Sequence, residues 1–305
     1  MTLLRAAILL GLVAPAQDKA GPAPEFADVR YGDHARNVFD LWRPPGEGPF
    51  PLVLYIHGGG FRAGDKKTLG AESLRTYLQA GWAVAAINYR FTDSAPAPAQ
   101  YLDCARALQT LRRRAKEWKL DPRLVASTGG SAGAGTSMWL AFHDDLAEPD
   151  SADPVAREST RLTCIAVSDG QCSYDPRFAG TIGLPRPNFE RHAFFLPFYG
   201  ISKDEIDTPK AVELYEKAAP ITYLSKDDPP ALLHYSRADE TVDAHSDIEV
   251  VVHHPKFGIA LQERMQALGL ECVVLYKGQV DAPRTTPLEF IRKHFDLARM
   301  GRPGK

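Results

Sequence analysis

The sequence predicts an α/β fold built on one mostly parallel sheet with helices on both faces. Short continuous apolar runs, the mark of strands buried on both sides, recur from residue 50 onwards. Amphipathic helical patterns separate them. Neither an internal repeat nor a low-complexity linker interrupts this alternation, so the chain of 305 residues reads as one domain.

The elements follow in order. Residues 1–5 form a short positive stretch, and residues 6–13 form an apolar run too short to span a bilayer. Ala14, Pro15 and Ala16 then give a small-x-small cleavage pattern. Residues 1–16 are expected to be a secretory signal peptide cleaved after Ala16, leaving a domain of residues 17–305 that is secreted or periplasmic. No cysteine follows the apolar run and no later stretch is long enough for a membrane helix, so no membrane anchor is expected. Residues 26–31 and 38–42 read as a leading antiparallel hairpin. Buried strands are expected at 51–56, 82–89, 124–127, 162–167, 231–235 and 272–276.

Helical spacing places Tyr101, Ala105, Leu108, Leu111, Ala115 and Trp118 on one face of a helix over 101–118. Residues 134–142, 257–268 (ending at Gly269, a C-cap residue) and 287–298 read as further helices. Residues 170–219 break the rhythm, being rich in Pro, Phe and Tyr. They are expected to form a cap-like insertion over the C-terminal edge of the sheet. Phe194, Phe195, Phe198 and Tyr199 would supply aromatic contacts to a pocket beneath it.

Lys and Arg number 36 against 38 Asp and Glu, a formal net charge of −2. That balance lacks the basic footprint of a nucleic-acid binder. The run Arg112, Arg113, Arg114 is expected on a solvated helix face. Four cysteines, Cys104, Cys164, Cys172 and Cys272, allow three pairings. Bridges and buried thiols both stay open. There is no CxxC and no metal-type Cys/His spacing, so no metal or cofactor is expected. Nothing in the sequence implies an oligomeric state.

Two motifs carry chemistry. Gly129-Gly130-Ser131-Ala132-Gly133 fits G-x-S-x-G, after a strand and before a helix. Small flanking residues let the backbones approach while a tight turn exposes the serine, and the helix N-terminus favours developing negative charge. His57-Gly58-Gly59-Gly60-Phe61 closes the first central strand, where consecutive glycines expose N–H groups that can converge on an oxyanion. His57 itself is expected to anchor this loop rather than act as a base.

With Asn88-Tyr89-Arg90-Phe91 and Asp103, these motifs resemble the α/β-hydrolase superfamily. Within it the chain looks most like the hormone-sensitive-lipase-like and feruloyl- or acetyl-xylan-esterase-like carboxylesterases. The likeness is strongest between residues 50 and 140. It implies an α/β-hydrolase fold, with a mostly parallel eight-stranded sheet and a cap insertion. It also implies Ser131 as nucleophile, with Gly59, Gly60 and Ala132 forming the oxyanion hole. The family's acid follows the strand after the cap, where Asp239 matches a D-x-x-V turn; Asp243 and Glu240 are weaker candidates.

The sequence departs from the family at the base. No histidine occurs between Cys272 and Lys293, and Asp281 stands near the expected place. His294 lies seven residues into the last expected helix, about 10 Å along its axis, and is expected to be a surface or packing residue. His245, His253 and His254 follow Asp239; His253 and His254 are the candidates for a substitute base. Asp175 and Arg177 are candidates to line the site. Two functions follow. One is a secreted serine carboxylesterase acting on short acyl or aryl esters, including small-molecule or carbohydrate esters, with Asp239 orienting a non-standard histidine. The other is a catalytically impaired binding protein on the same scaffold.

Overall fold

The computed structural model describes residues 21–185, 194–243 and 245–301. The expected signal peptide lies outside the described residues. Eight strands form one sheet: β1 (Phe26–Arg30), β2 (Val38–Trp42), β3 (Phe50–Ile56), β4 (Ala83–Ile87), β5 (Leu120–Gly130), β6 (Cys164–Ser168), β7 (Ala231–Tyr235) and β8 (Cys272–Tyr276). Their spatial order is β1-β2-β4-β3-β5-β6-β7-β8. The leading hairpin joins the sheet antiparallel, β2 against β4, and every later pairing is parallel.

The central strands are apolar on both sides because both sides are covered. Leu52, Leu54 and Ile56 of β3 enter a core shared with α2 (Ala99–Arg113), α3 (Ala132–Phe142) and α8 (Lys256–Ala267). The alternate residues Val53 of β3 and Val84 and Ala86 of β4 enter a second core, against α1 (Ala71–Gln79) and α9 (Pro287–Arg299). A pleat of period two thus feeds two helical layers.

Two expectations are corrected, and one open alternative closes. The helix expected over 101–118 ends at Arg113, because residues 114–119 turn back. Lys119 takes φ +52° and its carbonyl accepts from the Phe50 N–H, which starts β5 alongside β3. Of the three arginines expected on a solvated face, Arg112 is instead drawn inward. Its guanidinium donates to the carbonyls of Pro122, Ser159 and Arg161, and burial pushes its pKa down to about 10. All four cysteines are buried free thiols, so the bridge alternative falls.

The segment after β6 contains α4 (Pro176–Thr181), α5 (Phe195–Tyr199) and α6 (Pro209–Ala218). Its aromatics were expected to face a pocket, and most do not. Phe195, Phe198 and Tyr199 are buried in the first core, where Phe198 stacks on Phe61 at 4.5 Å and Phe195 and Tyr199 pack on Tyr215. An apolar cluster this dense excludes the solvent a pocket wall would meet.

Candidate active site

Ser131 sits between the end of β5 and the start of α3 with φ +52° and ψ −119°. A non-glycine residue there is strained, and the surroundings hold it. The Ser131 N–H donates to the Ser168 carbonyl at 3.0 Å, and the Ser131 carbonyl accepts from the Gly135 N–H at 3.0 Å. The flanking glycines are required by proximity. A Cβ at Gly129 would lie 2.2 Å from the Ile56 carbonyl oxygen, and one at Gly133 only 2.0 Å from the same atom. The turn therefore rides directly on the end of β3.

That strand end leads into the glycine loop. Gly59 and Gly60 both have positive φ, +109° and +57°, and the Gly59 carbonyl accepts from the Arg62 and Ala63 N–H groups. Among the described residues no carbonyl or side chain takes the N–H groups of Gly59, Gly60 or Ala132. All three residues line one cavity of about 420 Å³ together with Ser131.

His57 is fully buried beneath this loop. One ring nitrogen, Nδ1, donates to the Gly58 carbonyl at 2.7 Å, and Nε2 accepts from the Arg36 guanidinium at 3.2 Å. Its ring stacks on Tyr89 at 4.3 Å, and burial pushes its pKa down to about 4. A neutral, doubly bonded imidazole holds the loop and has no spare nitrogen for a substrate. Asp103 has a scaffold role as well, receiving the Arg90 guanidinium at 2.6 Å. Asn88 bonds Asp65 and the Lys66 N–H, which ties the loop after the glycines to the end of β4.

The imidazole next to Ser131 belongs to His253. Its Nε2 is 2.9 Å from Ser131 Oγ. His253 caps the C-terminal end of α7 (Ile248–Val252), a short helix between β7 and α8. Its Nδ1 faces two oxygens that can only accept, the Glu249 carbonyl at 3.1 Å and the Glu249 carboxylate at 3.3 Å. The proton therefore sits on Nδ1, and the Ser131 hydroxyl donates to Nε2. The Asp247 side chain caps the start of α7 by accepting the Glu249 N–H, and the Gln171 side chain donates to the Val252 carbonyl at its end.

The adjacent His254 points elsewhere. It is 1% exposed, its Nδ1 accepts the Lys256 N–H at 3.3 Å, and its Nε2 donates to the Glu240 carbonyl at 2.8 Å. Asp239 stands by His254, with 3.9 Å from Oδ1 to Nε2. The expectation that Asp239 orients the histidine beside the serine is thus not what the geometry places. The carboxylate on that histidine is Glu249, which sequence reasoning passed over. Its signal was the i,i+4 spacing to His253 on one helical turn.

The remaining candidates separate. Asp175 lines the cavity, while Arg177 pairs with it from outside the lining. Asp243 caps the turn at His245 and Ser246, and both Asp243 and His245 are exposed. Asp281 is exposed with φ +54°. His294 is buried against Phe290, 3.6 Å from Glu271, a packing residue as expected. Tyr174, Phe194, Val252 and Phe257 give the cavity an apolar wall. Among the described residues no group of His, Cys, Asp or Glu could hold a metal ion.

A serine on a strained strand-to-helix turn, above a parallel sheet with this strand order, defines an α/β-hydrolase fold. The BD-FAE family matches residues 39–170. The probable carboxylic ester hydrolase LipM of Mycobacterium tuberculosis (strain ATCC 25618 / H37Rv) is 28% identical over 221 residues, covering 70% of this chain and 48% of the relative. Lipase 2 of Moraxella sp. (strain TA144) is 35% identical over 169 residues, 53% of this chain and 34% of the relative. This chain spans about half the length of the first curated relatives it matches. A solved carbohydrate esterase from gut microbiota, in truncated form, superposes with a TM-score of 0.67 at 18% identity, covering 94% of this chain and 98% of that one. An acetyl ester-xyloside bifunctional hydrolase of Caldicellulosiruptor lactoaceticus gives 0.66 at 17% identity, over 93% and 100%. At such identities the solved structures speak to fold. The chain has the α/β-hydrolase fold and resembles carboxylic ester hydrolases, with the family match confined to residues 39–170.

Proposed function

We propose that this protein is an exported serine carboxylesterase acting on short acyl or aryl esters, carbohydrate esters among them. The observation that carries the proposal is the 2.9 Å contact between Ser131 Oγ and a His253 imidazole whose other nitrogen holds the proton. Ser131 Oγ attacks the ester carbonyl carbon while His253 Nε2 takes its proton. The carbonyl oxygen gains the charge and meets the free N–H groups of Gly59, Gly60 and Ala132. Collapse breaks the bond to the alcohol, which leaves with the proton from His253. Water then repeats the sequence on the acyl-serine and restores the free hydroxyl.

A cavity of about 420 Å³ suits a short acyl group with part of its alcohol. The similarity to a probable carboxylic ester hydrolase and to a carbohydrate esterase supports the same class.

The test is hydrolysis of p-nitrophenyl acetate by the wild type and by Ser131→Ala, His253→Ala and His254→Ala. The expected result is a loss of at least about 10³-fold for the first two and little change for the third. Hydrolysis indifferent to Ser131→Ala overturns the proposal, and tight ester binding without turnover supports the binding-protein alternative. Export is tested by sequencing the N-terminus of the secreted chain, expected at Gln17.

A further inference from the structure

We infer that Glu249, and not Asp239, is the carboxylate that positions the proposed base, so that base and carboxylate ride on one helical turn. The inference rests on the esterase reading of the Ser131 site. Residues i and i+4 of a helix face each other, and Glu249 Oε2 lies 3.3 Å from His253 Nδ1. The turn is fixed at both ends, by the Asp247 cap and by the Gln171 bond to the Val252 carbonyl. Asp239 has no such contact with His253. It lies beside His254, whose Nε2 proton is already given to the Glu240 carbonyl.

The two oxygens of Glu249 divide the work. The backbone carbonyl, at 3.1 Å, selects the Nδ1–H tautomer and so leaves Nε2 free to accept from Ser131. The carboxylate places negative charge beside the imidazolium that forms once the serine proton has moved. Its side chain is 59% exposed, so water screens that charge and the carbonyl keeps the tautomer if the carboxylate is lost. The expected effect is therefore smaller than the roughly 10⁴-fold associated with an enclosed triad aspartate.

The experiment compares full-length wild type, Glu249→Gln, Glu249→Ala and Asp239→Asn with p-nitrophenyl acetate, reading kcat and KM separately. Glu249→Gln is expected to lower kcat roughly 10- to 100-fold with KM within about twofold, since only the charge in the transition state is removed. Asp239→Asn is expected to stay within about twofold of wild type. The proton resonance of His253 Nδ1–H, recorded by NMR on the same proteins, is expected to move upfield in both Glu249 variants and to stay in Asp239→Asn. A Glu249→Gln enzyme with wild-type kcat, or a tenfold loss in Asp239→Asn, overturns the inference. The resonance also separates the two readings. A wild type without Ser131-dependent hydrolysis ends the esterase reading, whereas an unmoved resonance in Glu249→Gln ends the pairing.

Discussion

Phe198→Ala should cost stability, whereas Phe194→Ala should cost selectivity. Phe198 is fully buried, stacks on Phe61 at 4.5 Å and 22°, and meets the rings of Tyr101, Tyr174 and Tyr199 at 6.0, 5.5 and 4.9 Å. Removing a buried phenyl ring leaves a cavity and loses its transfer free energy, together about 3–5 kcal/mol. For a domain of this size, each kcal/mol lowers Tm by roughly 2–3 °C, so a drop of roughly 6–15 °C is expected. Phe194 is only half-buried and lines the cavity, so its truncation should lower Tm by a few degrees at most. Calorimetric Tm values and kcat/KM for acetyl and butyryl p-nitrophenyl esters separate the two outcomes. Phe194→Ala should change the acetyl-to-butyryl ratio, and Phe198→Ala should leave it near wild type. An unchanged Tm with a shifted ratio in Phe198→Ala would refute the assignment of that ring to the core.

Gly133→Ala should disrupt folding, because its Cβ would stand 2.0 Å from the Ile56 carbonyl, while Gly180→Ala in α4 meets nothing within 4 Å and should be neutral or stabilising by up to about 1 kcal/mol; soluble yield and urea midpoints check both. His57, pushed down to about 4 by burial, takes up a proton less readily folded than unfolded, where imidazole titrates near 6.5. Its contribution is complete above about pH 6.5 and declines as the pH falls from there towards 4, by about 2 kcal/mol at pH 5. Urea midpoints at pH 7 and pH 5 should differ less in His57→Gln than in wild type, and equal differences would contradict the burial argument. His254→Ala should lower stability by about 1–3 kcal/mol through two lost, partly buried hydrogen bonds while leaving kcat within a few-fold; denaturation and kinetics on one preparation decide it.

Much of the scaffold was legible in the sequence because its signals are local. Apolar runs such as Leu52 to Ile56 can be satisfied only between two helical layers, and the glycines around Ser131 mark a turn pressed against a neighbouring strand. The imidazole partner was not local. His253 and His254 are adjacent, but His253 closes α7 while His254 follows it in non-helical chain, so their rings take different directions. Composition cannot say which of them meets the serine; the anchoring of α7 by Asp247 and Gln171 decides it. Asp239 was located by a turn pattern, yet its distance from any imidazole depends on how the loop folds in three dimensions. The aromatics of 194–199 misled for a similar reason, since a pocket wall and a core cluster have the same composition. Glu249 was hidden within Ile248 to Val252, where three valines disguise a helical turn.

The site draws its imidazole from the stretch between β7 and α8, and this relieves the other end of the sheet of a duty. The loop from Lys277 to Thr286 is solvent-facing, with Val280 84% exposed, and none of its residues lines the cavity. Such a loop should accept inserted sequence, a reporter or an affinity segment with the proposed activity intact, because the residues of the proposed chemistry all precede it in the chain. The same insertion between Asp247 and His253 would sever the proposed base from its serine.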